Sequence, residues 1–228
     1  MISSGVIRTY HKKDCNHAFC HCDEKNGFQL KLEYFQNAGK IEGIYKEYYY
    51  NGEIWQKVNY INNLKEGVYK TYYISGQLYE EVNYINGKRE GIYKAYHRNG
   101  QTFGECNYID DKVEGKHIQY FASGNIENES NYNNNKLNGE YKSYLDNINR
   151  QIIKKLNYVN GNEEGLQIYY KNDEEYAELL YINNKISSFE THGNKIAKIH
   201  VIFNEPIEYE LLEKFVDESY LEQYHIYF

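Results

Sequence analysis

A repeat of 24 residues runs through most of the chain and restricts its fold more than any other feature. The first copy reads EGIYKEYYYNGEIWQKVNYINNLK, and the next two align with it without gaps. The copies are 42–65, 66–89, 90–113 and 114–137, followed by two weaker ones at 138–163 and 164–186. Self-similarity at this period indicates an architecture in which each unit buries its apolar surface against its neighbours.

Glycine and tyrosine recur at fixed places in the copies. A pair such as Glu66-Gly67 opens each unit, and a second pair such as Asn51-Gly52 falls near its middle. Asn-Gly favours a type I′ turn, because that turn needs positive φ at both central residues. Each unit is therefore predicted to hold two short strands separated by two turns.

The residues between the turns alternate as a half-buried strand does. Ile54, Val58 and Tyr60 share one parity, and Trp55 and Lys57 share the other. One face of the sheet is thus predicted to be apolar and aromatic, and the other largely polar. The predicted fold class is all-β: an elongated, single-layer antiparallel sheet of tandem hairpins over residues 1–186.

The N-terminus holds a seventh, interrupted copy. The segment from Ser4 to His11 matches the first half of a repeat, and the segment from Asn26 to Tyr34 matches the second half. We interpret residues 11–26 as an insertion that enlarges the hairpin turn.

Residues 187–228 break the repeat and are predicted to form a small cap of a strand plus a helix. The segment 198–203 (KIHVIF) reads as a strand. After the only proline, Pro206, the apolar residues Ile207, Leu211 and Phe215 form an amphipathic helical stripe.

The composition narrows the class of partner. The chain has 28 tyrosines and a formal net charge of -7. An acidic chain without a long basic run argues against nucleic acid as the ligand and disfavours docking on an anionic membrane. The N-terminus lacks the apolar region of a signal peptide, and no segment is long and apolar enough to be a transmembrane helix. We expect a cytoplasmic protein.

The insertion contains the only metal-like group of residues in the sequence, Cys15, His17, Cys20 and Cys22. Thiolate and imidazole ligands suit tetrahedral Zn²⁺. The spacing is not that of paired Cys-x-x-Cys knuckles, however, and all four residues come from one short loop. We therefore favour a turn insertion with reduced thiols, with no cofactor, and keep zinc as the alternative.

The remaining reactive side chains are interpreted as structural. Cys106 stands where other copies have Val58 and Val82, which predicts a small core residue. His97 and His117 replace tyrosines of other copies and are interpreted as ring substitutes. No phosphate-binding loop, zinc-protease or nucleophile-elbow motif occurs, so we predict that the protein is not an enzyme.

The repeat G-x-Y-K-x-Y-Y-x-N-G…N-Y-x-N-G-K-x-x-G resembles the MORN-type repeat variant of YwqK-like bacterial proteins and of arrays in large DNA viruses. The resemblance is closest over 42–113. It implies a twisted sheet of hairpins with a scaffolding, membrane-associated or, for the YwqK-like group, antitoxin role. A viral source would place the protein in the host cytoplasm or the virion.

We predict a protein-interaction or scaffolding module that takes a protein partner, with a homo-oligomer or larger assembly possible. The alternatives are an antitoxin that blocks a toxin, peripheral membrane association and carbohydrate binding. The binding face is predicted to be an aromatic one, since tyrosine is enriched in interface hot spots. Its candidate residues are Tyr48, Tyr72, Tyr96, Tyr120, Tyr144 and Tyr170.

Overall fold

The structure is a computed structural model that describes residues 4–12, 28–171, 174–191 and 199–207. These residues are all-β and contain no helix, so none of them forms a helix that could cross a membrane. They divide into two compact units, with the division inside one strand. Of the described residues, those up to 114 together with 122–124 form the first unit, and 115–121 together with those from 125 onward form the second.

The first unit is an antiparallel sheet in which strands that are consecutive in sequence are neighbours. Its strands are β1 (Gly5–Lys12), β2 (Phe28–Asn37), β3 (Lys40–Tyr48), β4 (Ile54–Ile61), β5 (Leu64–Tyr72), β6 (Leu78–Ile85), β7 (Lys88–Arg89), β8 (Gly91–Tyr96) and β9 (Thr102–Ile109). β1 pairs antiparallel with β2, and it includes His11 and Lys12, which we had placed in the insertion.

The second unit has the same neighbour-to-neighbour topology. Its strands are β10 (Lys112–Tyr120), in which the division falls, β11 (Ile126–Asn133), β12 (Lys136–Leu137), β13 (Gly139–Tyr144), β14 (Ile152–Val159), β15 (Asn162–Glu163), β16 (Gly165–Lys171), β17 (Glu174–Ile182), β18 (Lys185–Thr191) and β19 (Ile199–Ile207).

The tight turns that need two residues with positive φ lie at the other end of each hairpin from Asn51-Gly52. Asn86 and Gly87, between β6 and β7, have φ of 50° and 82°. At Asn51-Gly52 only the glycine has positive φ, and Gly52 N–H donates to the Tyr49 carbonyl in a longer loop. The predicted type I′ turn is therefore wrong for Asn51-Gly52, whose conformation needs one left-handed residue and not two.

The glycine that opens each unit lies in a strand, not in a turn. Gly67, at φ 78°, lies in β5 where the register with β4 shifts, which is the geometry of a β-bulge. The preceding Glu66 accepts a hydrogen bond from Asn86 N–H at 2.8 Å. The Glu-Gly pair thus bends its own strand and holds the tight turn of the next hairpin.

The last described strand is longer than the sequence predicted. β19 includes the segment predicted as a strand and continues through Pro206 to Ile207, which we had placed at the start of a helix. The register between β18 and β19 shifts between Ile186 and Ser188, and Pro206 lies opposite this irregular stretch. A proline without an N–H is tolerated there because no ladder hydrogen bond is lost. The rest of the predicted helix lies outside the described residues.

The core of each unit is a row of buried side chains along one face of its sheet. In the first unit the buried side chains are small, and they belong to Val58, Val82, Ala95 and Cys106. In the second unit Leu156, Leu179, Tyr181 and Ile186 are buried, together with Gln167. The Gln167 amide is fully buried and exchanges two hydrogen bonds, at 2.7 and 3.0 Å, with the backbone of Asn157.

Candidate interaction site

The sheet of the first unit has two chemically different faces. Residues directly opposite on paired antiparallel strands share a face. We call the face that carries Tyr69 and its opposite residue Val82 the tyrosine face. We call the other, which carries Lys70 and its opposite residue Glu81, the lysine face.

On the tyrosine face, aromatic rings pack against one another and cover the small side chains beside them. Tyr84 lies directly opposite Gly67, where no side chain competes for space, and its ring meets that of Tyr69 edge-on at 5.7 Å. Tyr93–Tyr108 repeats the edge-on contact at 5.9 Å, and Tyr45–Tyr60 repeats it in a tilted geometry at 5.4 Å. These rings lie beside the valine row, which explains how Val58 is only 2% exposed on a sheet without a second layer among the described residues.

Two phenol groups of this face, those of Tyr69 and Tyr93, donate hydrogen bonds within the sheet. Tyr69 donates to the Gln56 side chain at 2.8 Å, and Tyr93 donates to the Glu80 carboxylate at 2.9 Å. Burial, and then the nearby Glu80 charge, raise the pKa of both hydroxyls, so they remain protonated donors. This face therefore serves mainly as the core of the unit.

A shallow groove of about 670 Å³ lies at the turn end of the tyrosine face. Two cations project into it. Lys65 Nζ lies 4.2 Å from the centroid of the Tyr69 ring, and the Arg89 guanidinium lies 4.1 Å from that of Tyr108. Arg89 is also paired with Asp111 at 3.0 Å, and burial lowers the pKa of Lys65. The groove is lined by Tyr60, Asn63, Leu64, Lys65, Tyr84, Gly87, Arg89 and Asp111.

The lysine face exposes apolar side chains at regular intervals. Ile44, Val68 and Ile92 stand at the same place in three successive repeats and are 52%, 53% and 64% exposed. Each lies opposite an asparagine of the next strand. Because equivalent strands are about 10 Å apart, the three form an evenly spaced aliphatic row across the sheet.

Beside the aliphatic row runs a row of charges. Directly opposite residues on successive strands place them in one line. In order, the charged row is Arg8, Glu33, Lys46, Lys57, Lys70, Glu81, Lys94 and Glu105. Three of its neighbouring pairs form salt bridges: Arg8–Glu33 at 2.6 Å, Lys70–Glu81 at 3.0 Å and Lys94–Glu105 at 3.7 Å.

The six tyrosines predicted as a binding face occupy equivalent positions, and all are half-buried. Tyr96 lies beside the charged row and donates to Glu81 at 2.8 Å. Burial and this bond raise the pKa of Tyr96 to about 12. Tyr144 repeats the contact in the second unit, donating to Glu129 at 2.9 Å. Tyr48, Tyr72, Tyr120 and Tyr170 lie at the same strand position in their own copies. Their role in binding stays a prediction.

The histidines and the buried cysteine confirm their structural interpretation. His97 packs against Phe103 at 5.1 Å, as Tyr49 packs against Trp55. His117 meets Tyr132 edge-on at 5.7 Å, and burial lowers its pKa. Cys106 is buried opposite Tyr93, and burial raises the pKa of its thiol to about 11.

The candidate zinc ligands Cys15, His17, Cys20 and Cys22 lie outside the described residues. Across the described ranges no group of three or more His, Cys, Asp or Glu side chains is placed to hold a metal ion.

Sequence reasoning missed the exposed aliphatic row. Its signal is present in the repeat, since Ile44, Val68 and Ile92 each follow the opening glycine and have the opposite parity to the next tyrosine. We had predicted apolar side chains on one face of the sheet and a largely polar opposite face.

Comparison with known families decides the nature of the repeat. Residues 41–62, 65–86, 89–110 and 113–134 match the MORN repeat variant. Four tandem matches to the MORN repeat variant thus cover residues 41–134. Their boundaries follow the hairpins, because each MORN match ends at a tight turn such as Asn86-Gly87. The bulge glycines and paired tyrosines described above thus lie within the matched residues.

Two further comparisons add no functional information. No curated protein matches the chain significantly. Among solved structures, a mutant of S. aureus TarM in complex with Fondaparinux, alpha-GlcNAc-glycerol and UDP aligns at 12% identity with a TM-score of 0.25. That alignment covers 59% of this chain and 21% of TarM, so the chain spans about a fifth of the TarM length.

Proposed function

We propose that the protein is a non-catalytic interaction or scaffolding module that binds a partner protein through the lysine face of its MORN repeats. The observation that carries the proposal is the aliphatic row, in which Ile92 is 64% exposed while Val82 of the opposite face is 4% exposed. A sheet that has buried its apolar side chains on one face has no folding reason to repeat exposed ones on the other.

The composition of the lysine face supports a protein partner. It combines exposed aliphatic groups such as Val68 with charged pairs such as Lys70–Glu81. Protein interfaces have this mixture, with an apolar centre and a polar rim. The acidic residues of the charged row, such as Glu33 and Glu81, disfavour an anionic lipid surface or nucleic acid, because both are negatively charged.

Partner capture by matched variants tests the proposal. Ile92→Lys places a charge in the centre of the aliphatic row, where its side chain is already in solvent, so the fold is expected to persist. We expect this variant to lose at least about tenfold in affinity for a stoichiometric partner recovered from native lysate.

Lys116→Gln provides a surface control, because Lys116 pairs with Glu129 at 2.8 Å in the second unit. It should bind the same partner as the unaltered chain. Equal binding by Ile92→Lys and Lys116→Gln would contradict a role for the aliphatic row.

A further inference from the structure

The charged row breaks its own alternation at one position. From Arg8 to Glu105 the signs would alternate at every step if residue 57 were acidic, as are the equivalent Glu33, Glu81 and Glu105. Lys57 instead lies directly opposite Lys46 on β3 and Lys70 on β5. Like charges directly opposite one another destabilise a sheet.

Because position 57 is a lysine and not a glutamate, three side-chain hydrogen-bond donors have no acceptor among the described residues. They are the ammonium groups of Lys46 and Lys57 and the hydroxyl of Tyr72. Neither the Lys46 nor the Lys57 ammonium group has an ion-pair or hydrogen-bond partner in the described part of the chain. Tyr96 donates to Glu81, whereas the Tyr72 hydroxyl, at the equivalent place beside Lys57, has no acceptor among the described residues. Both ammonium groups and this hydroxyl lie around the place where the repeat otherwise puts a carboxylate.

The second unit contains a similar exchange that is compensated internally. Lys155 lies opposite Lys142, at the position that corresponds to Lys57. There Tyr170 lies beside Lys155 and donates to Glu175 at 3.3 Å. In the first unit the residue opposite Tyr72 is Leu78, which offers no acceptor. Among the described residues, the missing carboxylate is therefore uncompensated only around Lys57.

We propose that Lys46, Lys57 and Tyr72 form a binding site for a carboxylate of an acidic segment in the partner protein. An aspartate or glutamate placed there accepts hydrogen bonds from both ammonium groups and the phenol, and it restores the alternation of the row. Lys70, which retains Glu81, adds a third positive charge. This inference rests on the proposed function of the lysine face and names the chemistry of the partner.

The surroundings favour a short peptide segment over an extended polyanion. Glu33 and Glu81 flank the three lysines within the same row and would repel a nucleic acid or an anionic membrane laid across it. Exposed Ile44 and Val68, each two residues before a lysine, provide apolar contact for the neighbours of the acidic residue. The segment is therefore acidic at its centre and apolar beside it.

The test measures binding of a fluorescein-labelled peptide of three glutamates flanked by leucines to the full chain. We expect saturable binding that weakens with added salt, because the contacts are charged and exposed. Lys57→Glu should reduce the affinity at least about tenfold and at the same time raise the midpoint of thermal unfolding, since it turns two repulsive pairs into attractive ones. A site of purely structural importance would not produce opposite effects on binding and stability.

Two controls complete the test. Tyr72→Phe, which removes one donor, should weaken peptide binding by a smaller factor without unfolding the chain. Lys94→Gln alters a lysine of the same row that already has Glu105 as its partner, and it should leave peptide binding unchanged.

Several outcomes overturn the inference. These are equal peptide binding by Lys57→Glu and the unaltered chain, absence of peptide binding, and Lys57-dependent binding only to vesicles rich in phosphatidylserine. If Ile92→Lys loses the partner protein while Lys57→Glu keeps it, the carboxylate site is wrong and the proposed function stands. If neither variant loses the partner, the proposed function fails as well.

Discussion

The two units use the same hairpin to build different cores. In the first unit, small residues such as Val82 and Cys106 are buried beside pairs of tyrosine rings. In the later strands of the second unit, Leu179 and Ile186 are fully buried. The buried amide of Gln167 accepts a hydrogen bond from the backbone N–H of Asn157. The regular copies thus cover a single sheet with tyrosine rings, whereas the weaker copies bury larger aliphatic side chains.

In the first unit, folding and the proposed partner binding use opposite faces of the sheet. Where the tyrosine rings complete the core, the opposite face of the first unit is free to vary in charge, as it does at Lys57. In the second unit the corresponding change at Lys155 is accompanied by a compensating carboxylate, Glu175. The regular unit therefore carries the better candidate for a binding surface.

The largest effect is expected from the aliphatic core of the second unit. Leu179 is 1% exposed on β17, and Leu179→Ala should lower the free energy of unfolding by about 2–5 kcal/mol. Chemical denaturation measures this, and hydrogen exchange in β17 assigns it to the second unit. Leu166→Ala, at a side chain 47% exposed, should change stability by less than about 1 kcal/mol. Equal effects of the two variants would contradict the account.

A smaller effect is expected at the bulge glycines of the first unit. A Cβ on Gly67 meets no atom within 4 Å, so the cost of Gly67→Ala comes from its φ of 78°. We expect a loss of about 1–2 kcal/mol in the free energy of unfolding. Gly5→Ala, which also has open space but no positive φ, should be nearly neutral. A large loss at Gly5 would show that space and not backbone conformation matters.

Hydrogen bonds from tyrosine hydroxyls to neighbouring repeats should contribute less to the free energy of unfolding than the bulge glycines do. Tyr49 Oη donates to the Tyr72 carbonyl at 2.7 Å, and Tyr73 repeats the contact with the Tyr96 carbonyl. Tyr49→Phe keeps the ring and should cost about 1 kcal/mol of unfolding free energy. Tyr79→Phe, where the hydroxyl has no bond in the described structure, is the matched control and should be neutral in the same denaturation assay.

The smallest effect is a dependence on pH at His117, where the second unit has an imidazole in place of a tyrosine ring. Burial lowers the pKa of His117 from 6.5, so the unfolded chain takes up a proton before the folded one does. Stability should therefore fall as the pH drops from about 6.5 through the lower folded-state pKa. His117→Tyr should remove this part of the pH dependence in denaturation curves, and an unchanged pH profile would contradict the assignment.

Much of the fold was predictable because each copy of the repeat has similar residue types at the same strand positions. The 24-residue period, the alternation around Val58 and the ring substitutions at His97 and His117 all follow from the sequence and are confirmed. Glu66-Gly67 was misplaced because a glycine with positive φ serves a bulge as well as a turn. Pro206 was misplaced because a register shift accommodates it in β19.

The candidate site could be predicted only in part. Tyr72 and Tyr96 were singled out from the repeat, but the sequence did not show that Tyr96 has an acceptor in Glu81 and Tyr72 has none. Lys57 was read as one residue of a polar face. Its importance depends on which residues lie opposite it, and that register is set by bulges such as the one at Gly67.

Site-specific photo-crosslinking in native lysate tests most directly whether the lysine face is the binding face. A photoreactive residue is placed at Val68 on the lysine face or at Tyr84 on the tyrosine face, in otherwise identical chains. We predict a stoichiometric protein adduct from position 68, suppressed by Ile92→Lys, and none from position 84. Adducts from position 84 that exceed those from position 68 would contradict it.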